Sequence, residues 1–191
     1  MISRDLSIFI KIPTLNTERI TLRRIKKEDI NDVYQYSSDP LVPRYLLWYP
    51  HPDKEYTEKY LAYVDKKYKK GEFYDWAIEL EGKMIGTCGF SSFDLDNNSA
   101  EIGYVLNRNY WNKGYATECA RAVMKFGFEE LGLWRITARF MPENTDSERV
   151  LKKLNMRKEG YLIGAIRAKG RYKDVVIYAI TKDEYDKLKT N

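Results

Sequence analysis

The sequence is poor in the residues that build disulfide frameworks and metal clusters. Its 191 residues include two cysteines and one histidine, and Cys88 and Cys119 lack the paired spacing of a zinc site. We therefore expect two buried thiols and no bound metal ion. No apolar run approaches the ~20 residues of a membrane span. Because Arg4, Asp5 and Lys11 interrupt the N-terminal apolar stretch, a signal peptide is also excluded, and we expect a cytoplasmic protein without membrane attachment.

The sequence also lacks a strong excess of either charge. Thirty-three basic residues stand against 28 acidic ones, and no arginine-rich stripe is present, so nucleic acid is not an expected partner. The length favours one domain over residues 1–191, in which residues 1–16 have no clear period and form a possible N-terminal arm. Nothing in the composition decides between a monomer and a homodimer.

The apolar periodicity predicts a mixed α/β fold. The segments 100–106 and 135–141 are joined by a helix, and such a crossover implies that these two strands are parallel. Capping boxes are predicted for the pairs Thr145 with Glu148 and Thr181 with Glu184. The predicted strands cover 19–24, 73–80, 83–90, 100–106, 135–141, 161–167 and 175–180. Three predicted helices cover 30–37, 56–68 and 115–131, and two more begin at the capping boxes.

The junction between strand 100–106 and the following helix carries the main functional signal. The first N–H groups of a helix lack internal partners and carry a partial positive charge, which favours an anion. Gly114 permits close approach of the backbone to a ligand. No acidic side chain lies between Asn112 and Thr117. The alternative is an ordinary loop in which Asn112 caps the helix. The spacings of a Walker loop and of a Rossmann fingerprint are both absent.

The hexapeptide Trp111 to Ala116 (WNKGYA) resembles the pyrophosphate loop Gln/Arg-x-x-Gly-x-Gly/Ala of the GNAT superfamily of acyl-CoA-dependent N-acetyltransferases. Tryptophan at the first position is similar to the branch of ribosomal-protein alanine N-acetyltransferases. The resemblance runs from about Thr17 to about Leu188. It implies acetyl-CoA as the cofactor and a central twisted, mostly antiparallel sheet flanked by helices. It also implies that the parallel pair splays apart at its C-terminal end, usually with a bulge in the first of the two strands.

The resemblance assigns the residues that would hold acetyl-CoA. Backbone groups freed by the splay would bind the pantetheine arm, and the loop would bind the pyrophosphate. Asn144 matches the asparagine of the family's Asn-x-x-Ala/Ser motif, which touches the cofactor. The implied cofactor residues are Tyr104, Val105, Leu106, Asn112, Lys113, Gly114, Tyr115, Ala116, Thr117 and Asn144.

The catalytic groups are less well marked. Glu101, on the predicted strand 100–106, is the predicted base and would act directly or through water. The alternative is that it only braces neighbouring backbone groups. Many family members place a tyrosine acid seven residues after the asparagine, but here that position is Leu151. Ser147 could relay a proton to the departing thiolate or could simply be a first-turn helix residue. His51 is expected at the surface or the substrate rim, because no neighbour in sequence would orient its ring.

The acceptor residues are sought among aromatic side chains, whose faces suit a cation or a peptide end. The predicted set is Tyr45, Trp48, Tyr74 and Trp76, although Tyr45 and Trp48 could instead plug the proline-rich loop 41–52 into the core. The function expected is acetyl transfer to a primary amine, foremost the N-terminal α-amine of a ribosomal protein. A small-molecule N-acetyltransferase acting on a polyamine, aminoglycoside or amino-acid-like compound, and a CoA-binding sensor without turnover, are the alternatives.

Overall fold

Eight strands form a continuous sheet in the computed structural model, which describes residues 6–189 of the chain. The strand order is β1-β2-β3-β4-β5-β6-β8-β7. Only β5 and β6 are parallel, and the other neighbouring pairs are antiparallel, as predicted. The strands are β1 Leu15–Asn16, β2 Thr21–Arg23, β3 Asp75–Leu80, β4 Lys83–Asp94, β5 Ser99–Leu106, β6 Arg135–Phe140, β7 Arg157–Ala168 and β8 Arg171–Thr181.

Five α-helices lie in the described part of the chain, and the sheet separates α3 from α1 and α2. Trp76 of β3 points to α3, where its ring lies 5.4 Å from that of Phe126. Its neighbour Asp75 points to the opposite face, where it lines a cavity with residues of α1 and α2. Within residues 6–189 no helix is both long and apolar enough to cross a membrane. The helices are α1 Ile30–Ser37, α2 Lys54–Lys69, α3 Tyr115–Glu129, α4 Thr145–Lys153 and α5 Lys182–Lys189.

The parallel pair is short, and its two strands then separate. Pairing between β5 and β6 runs only from Ser99 with Arg135 to Glu101 with Thr137. Beyond that point β5 continues along β4, and β6 continues along β8. The predicted splay is therefore present. The bulge is on a different strand from the one predicted, because the extra residue, Ser91, belongs to β4 and lies opposite β5.

The N-terminal segment is integrated into the core rather than laid across the body. A 3-10 helix spans Ser7–Lys11, and β1 pairs with β2 at the edge of the sheet. Phe9 is fully buried, and the indole N–H of Trp76 donates to the carbonyl of Pro13 over 2.6 Å. Residues 1–5 of the predicted arm lie outside the described residues. What is described of the arm thus forms part of the domain.

One of the two predicted capping boxes is present. Thr181 and Glu184 bind reciprocally at the start of α5, where the Glu184 carboxylate accepts from the Thr181 N–H over 2.8 Å. The box predicted for Thr145 is absent, because Asn144 is the N-cap of α4 and accepts from the Ser147 N–H. Glu148 instead accepts a hydrogen bond from the Tyr178 hydroxyl. The cap prediction was therefore displaced by one residue.

Replacing Phe9 with alanine should show that the N-terminal segment contributes to the core. The Phe9 ring contacts Tyr74, Trp76, Phe93 and Phe126. We expect Phe9→Ala to lower the free energy of unfolding by about 3–5 kcal/mol, through lost burial and the cavity left behind. Urea unfolding measures this. Ile8→Ala, at a neighbouring exposed position, is the control and should change stability by less than about 1 kcal/mol.

Candidate active site

Two cavities lie on either side of β5 and share Val105. The first, the loop cleft, has a volume of about 450 Å³ and lies between the loop 107–117, α4 with the residues just before it, and residues 41–46. The second, the aromatic cavity, has a volume of about 610 Å³ and lies between α1, α2 and the sheet. Val105 lines both cavities. Two ligands could therefore meet at this residue.

The loop cleft contains the uncapped N-terminus of α3. Gly114 is the N-cap, with φ of +84°, and no side chain there accepts a hydrogen bond from the first turn. Asn112 also has a positive φ, 60°, but it does not cap the helix. The first N–H groups of α3 are therefore available to an anion. Lys113 turns its ammonium group to the Tyr110 ring instead.

A partly exposed ion pair holds this loop against the β1–β2 connection. Glu118 accepts from the Thr17 hydroxyl over 2.6 Å and from the Arg19 backbone N–H over 3.0 Å. Arg19 pairs with the same carboxylate and also donates to the carbonyl of Lys113 over 3.2 Å. Burial pushes the pKa of Glu118 up, but these hydrogen bonds outweigh it and lower the pKa below its usual value. The negative charge of Glu118, the first acidic residue of α3, is thereby compensated by Arg19, and its carboxylate is directed away from the cleft.

The tryptophan at the start of the loop has a structural role. The indole N–H of Trp111 donates to the carbonyl of Leu106, the last residue of β5, over 2.8 Å. Asn107 fastens the same turn, since its backbone N–H donates to Ile85 and its side chain caps the 3-10 helix Arg108–Tyr110. These bonds fix the loop relative to the end of β5. With the loop held by these two residues, tryptophan can occupy the position where the resembled motif has glutamine or arginine.

The opposite wall of the loop cleft comes from α4. Asn144 and Ser147 line it, together with the cationic side chains of Arg149 and Lys153. The Tyr104 hydroxyl lies 3.4 Å from the carbonyl of Ser147 and so bridges the splay. Burial raises the pKa of Tyr104 and keeps its hydroxyl protonated at neutral pH. Leu151, at the position of the family's tyrosine, is buried in the core.

The aromatic cavity contains a carboxylate that the sequence analysis missed. Asp75 begins β3, and burial raises its pKa to about 7. A carboxyl group poised near neutral pH in a cavity is typical of a functional site. The only sequence signal was an aspartate next to the apolar residues of a strand, where aspartate is disfavoured. The cavity walls are Val33, Tyr36, Ser37, Trp48, His51, Tyr56, Lys59, Tyr60, Tyr63, Asp75, Thr87 and Val105.

His51 is oriented by a neighbour in space, contrary to expectation. It is 9% exposed, and its Nδ1 lies 2.9 Å from the hydroxyl oxygen of Thr57. Because the Thr57 hydroxyl donates to the carbonyl of Asp53, its oxygen accepts from Nδ1–H, which assigns the acceptor role to Nε2. Burial lowers the pKa of His51, so the ring is neutral at pH 7. The cavity thus has a fixed, uncharged imidazole wall.

The predicted acceptor residues fall into three places. Trp48 lines the aromatic cavity, 5.8 Å from the His51 ring, whereas Tyr45 lines the loop cleft. Tyr74 and Trp76 line neither cavity, since both pack against Phe9 beneath the sheet. Strand alternation directs these two residues to the α3 face and directs only Asp75, between them, to the aromatic cavity.

Glu101, the predicted base, also lines neither cavity. It shares a face of β5 with Val105, but its carboxylate pairs with Arg139 of β6 over 2.6 Å.

Within residues 6–189, no group of three or more histidine, cysteine, aspartate or glutamate side chains could hold a metal ion. Cys88 and Cys119 are free and buried, and burial raises the pKa of the Cys88 thiol.

A splayed parallel pair lies next to a helix N-terminus that has glycine at its N-cap and no capping side chain, and this is the architecture expected of a transferase that binds an acyl-CoA thioester. The family model described as an acetyltransferase (GNAT) domain matches residues 19–157. The chain belongs to the GNAT acetyltransferase family, as an acetyl-CoA-dependent N-acetyltransferase.

Relatives and solved structures agree with this assignment. An uncharacterized N-acetyltransferase, p20 of Bacillus licheniformis, is 40% identical over 90% of this chain and 98% of its own length. The spermidine N(1)-acetyltransferase of Escherichia coli is 25% identical over 87% of this chain and 88% of its own. A GNAT-family acetyltransferase from Bacillus anthracis is 34% identical with a TM-score of 0.80, covering 90% of this chain and all of that one. The ribosomal alpha-N-protein acetyltransferase RimL, solved with coenzyme A, shares the fold at 21% identity and a TM-score of 0.77, covering 88% and 98%.

Replacing Gly114 with valine should abolish coenzyme A binding. A β-branched residue is strongly disfavoured at φ of +84°, and its side chain would move the N–H groups of the first turn. We expect the dissociation constant for coenzyme A, measured by calorimetry, to rise at least about 100-fold. Gly170→Val is the matched control, since Gly170 also has a positive φ but lies in the β7–β8 turn. Equal loss of affinity in both variants would show that backbone strain alone was responsible.

Proposed function

We propose that this protein transfers the acetyl group of acetyl-CoA to a primary amine by direct attack in a ternary complex. The observation that carries the proposal is the meeting of the loop cleft and the aromatic cavity at Val105. A thioester held in the loop cleft and an amine held in the aromatic cavity would approach each other there. Acetyl-CoA supplies the acetyl group as an activated thioester, and no covalent enzyme intermediate is needed.

The residues of the loop cleft suit coenzyme A. The pyrophosphate would bind at the N-terminus of α3, where Asn112 and Gly114 to Thr117 line the cleft. Arg149 and Lys153 add positive charge on the facing wall. The pantetheine arm would bind the edge of β5 at Tyr104 to Leu106, beyond its pairing with β6, as an added strand does, although the Leu106 carbonyl is already bound by the Trp111 indole. Ser147, on the same wall, is the proposed relay of a proton to the departing thiolate.

The charges in the aromatic cavity favour an acceptor with a single positive charge. Asp75 is the carboxylate residue of its lining, and Lys59 lies on the same lining. A polyamine with several ammonium groups would leave most of its charges unpaired there. Ser37 adds a hydroxyl that is 2% exposed and has no hydrogen-bond partner among the described residues. A polar group left unpaired in this way is available to an acceptor.

We propose a protein N-terminal α-amine as the acceptor, and a small monoamine as the second candidate. An α-amine with a pKa of about 7.7–8.0 is neutral in roughly a tenth of molecules at pH 7, whereas lysine is neutral in well under about one in a thousand. One moderate base therefore suffices for an α-amine. RimL is named for such a substrate. The E. coli relative is named for spermidine, which makes a polyamine the competitor to test.

An acceptor panel with radiolabelled acetyl-CoA tests this proposal. The panel contains a peptide with a free N-terminal alanine, the same peptide with an acetylated N-terminus and an internal lysine, a small aromatic monoamine, and spermidine. We expect label on the free α-amine at a kcat/KM at least about tenfold above that for spermidine, because of the single carboxylate. Preference for spermidine would contradict the assignment of the acceptor. Coenzyme A binding without release of thiol on any amine would indicate a sensor instead.

A further inference from the structure

Asp75 is the one carboxylate among the residues that line the aromatic cavity. It occupies the first position of β3, and its backbone carbonyl accepts from the Tyr68 hydroxyl over 2.5 Å. Its carboxylate is directed to the face of the sheet that carries α1 and α2, where it lines the aromatic cavity. Among residues 6–189, no lysine or arginine forms an ion pair with it. The side chain therefore has no visible structural partner that would explain its place.

On this face of the sheet, the two positions beside Asp75, on β4 and on β5, carry no side chain. Asp75 lies opposite Gly89 of β4, and Gly89 lies opposite Gly103 of β5. A Cβ at Gly89 would come within 2.4 Å of the Asp75 Oδ1, so only glycine leaves the carboxylate its space. A Cβ at Gly103 would meet nothing within 4 Å, which shows that the surface there is open.

These glycines set the distance that the reaction must bridge. Two strand spacings, about 10 Å, separate the backbones of Asp75 and Gly103, and Val105 lies two residues, about 7 Å, further along β5, so about 12 Å separates Asp75 from Val105. The aspartate side chain shortens this distance from one side, and the acceptor amine shortens it from the other. A hydrogen-bonded water between the carboxylate and the amine can span what remains.

The titratable groups nearest Asp75 are uncharged at neutral pH, so its carboxylate can both accept and release a proton. Tyr36 of α1 and Tyr60 of α2 hold their protons, because burial raises the pKa of both hydroxyls. His51 is neutral, since burial lowers its pKa. The titratable and charged groups that face Asp75 or share its cavity are Tyr36, His51, Tyr56, Lys59, Tyr60, Tyr63, Tyr68 and Cys88.

We propose that Asp75 is the general base that accepts a proton from the ammonium group of the acceptor through one water. The assignment deepens the proposed function and rests on it. It replaces Glu101, whose carboxylate is committed to Arg139 and lies outside both cavities. A catalytic carboxylate works best when its pKa lies close to the working pH, and burial raises that of Asp75 to about 7.

The proton balance of the reaction is complete with this one base. Asp75 takes a proton from the R–NH3+ group, and the resulting amine attacks the thioester carbon to form the C–N bond. The C–S bond then breaks, and its electron pair leaves on the sulfur. The second N–H proton passes to that thiolate, and Asp75 returns its own proton to water. The products are the acetylated amine, coenzyme A as the free thiol and one proton.

The deciding experiment compares the wild-type chain with Asp75→Asn over pH 6 to 9.5, using an acceptor that the wild type acetylates. At pH 7 we expect Asp75→Asn to lower kcat by about 10²- to 10⁴-fold, with an unchanged KM for acetyl-CoA. The deficit should shrink as pH rises past the pKa of the amine, because solution hydroxide then removes the proton. A merely structural role would leave the deficit independent of pH. Asp183→Asn, at an exposed position of α5, is the matched control.

A stability measurement checks the burial of Asp75 independently of activity. A carboxyl group whose folded pKa is raised to about 7 keeps its proton in the folded state after the unfolded chain has lost it. The wild type should therefore lose stability as pH rises from about 4 to 7 and lose no more of it above that range. Asp75→Asn removes this contribution, so the difference in Tm should shift in favour of the variant over the same range.

Three outcomes would overturn the assignment. A wild-type kcat in Asp75→Asn, on an acceptor that the wild type acetylates, would remove Asp75 from the reaction and leave the proposed function standing. A pH-rescued loss of kcat in Glu101→Gln, without one in Asp75→Asn, would restore Glu101 as the base. A wild-type chain that binds coenzyme A but acetylates no amine would overturn the proposed function together with this inference.

Discussion

The separation of β5 from β6 is the constraint on which the rest of the site depends. Parallel strands normally satisfy each other's backbone groups along their length. Here the ladder stops at Glu101 and Thr137, while both strands continue beside other partners. The opened edge gives a ligand backbone groups to bind. It also gives the loop cleft and the aromatic cavity a common boundary at Val105.

The proposed anion site at α3 depends on contacts that hold its loop from two directions. Glu118 and Arg19 bind the loop to the β1–β2 connection, and Trp111 binds it to the last carbonyl of β5. An anion site built from backbone N–H groups is effective when those groups are already oriented, since binding then costs little ordering entropy. The N-terminal segment contributes to the same stability from below, through the burial of Phe9 against α3.

The sequence was sufficient to predict the helices and strands of the fold, but not which face of a strand carries the functional side chains. Periodicity predicted seven of the eight strands described, the α-helices and the single parallel pair, because these depend on local spacing and connection length, whereas β1 lies in the arm that showed no period. In Tyr74-Asp75-Trp76 the aromatic residues were chosen as acceptor residues, whereas strand alternation directs the carboxylate alone to the cavity. Which face is functional depends on where α1 and α2 pack, and local spacing does not contain that information.

By itself, then, the sequence determined the mixed α/β architecture and the strand-to-helix junction at Gly114. Both follow from short-range chemistry: alternation, crossover length and the conformational freedom of glycine. Tertiary structure alone decided which carboxylate lies in a cavity. Glu101 and Asp75 look alike in sequence, but one meets Arg139 and the other is desolvated between α1, α2 and β4. A carboxyl group acquires its chemistry from the neighbours that packing brings to it, and those neighbours are distant in the chain.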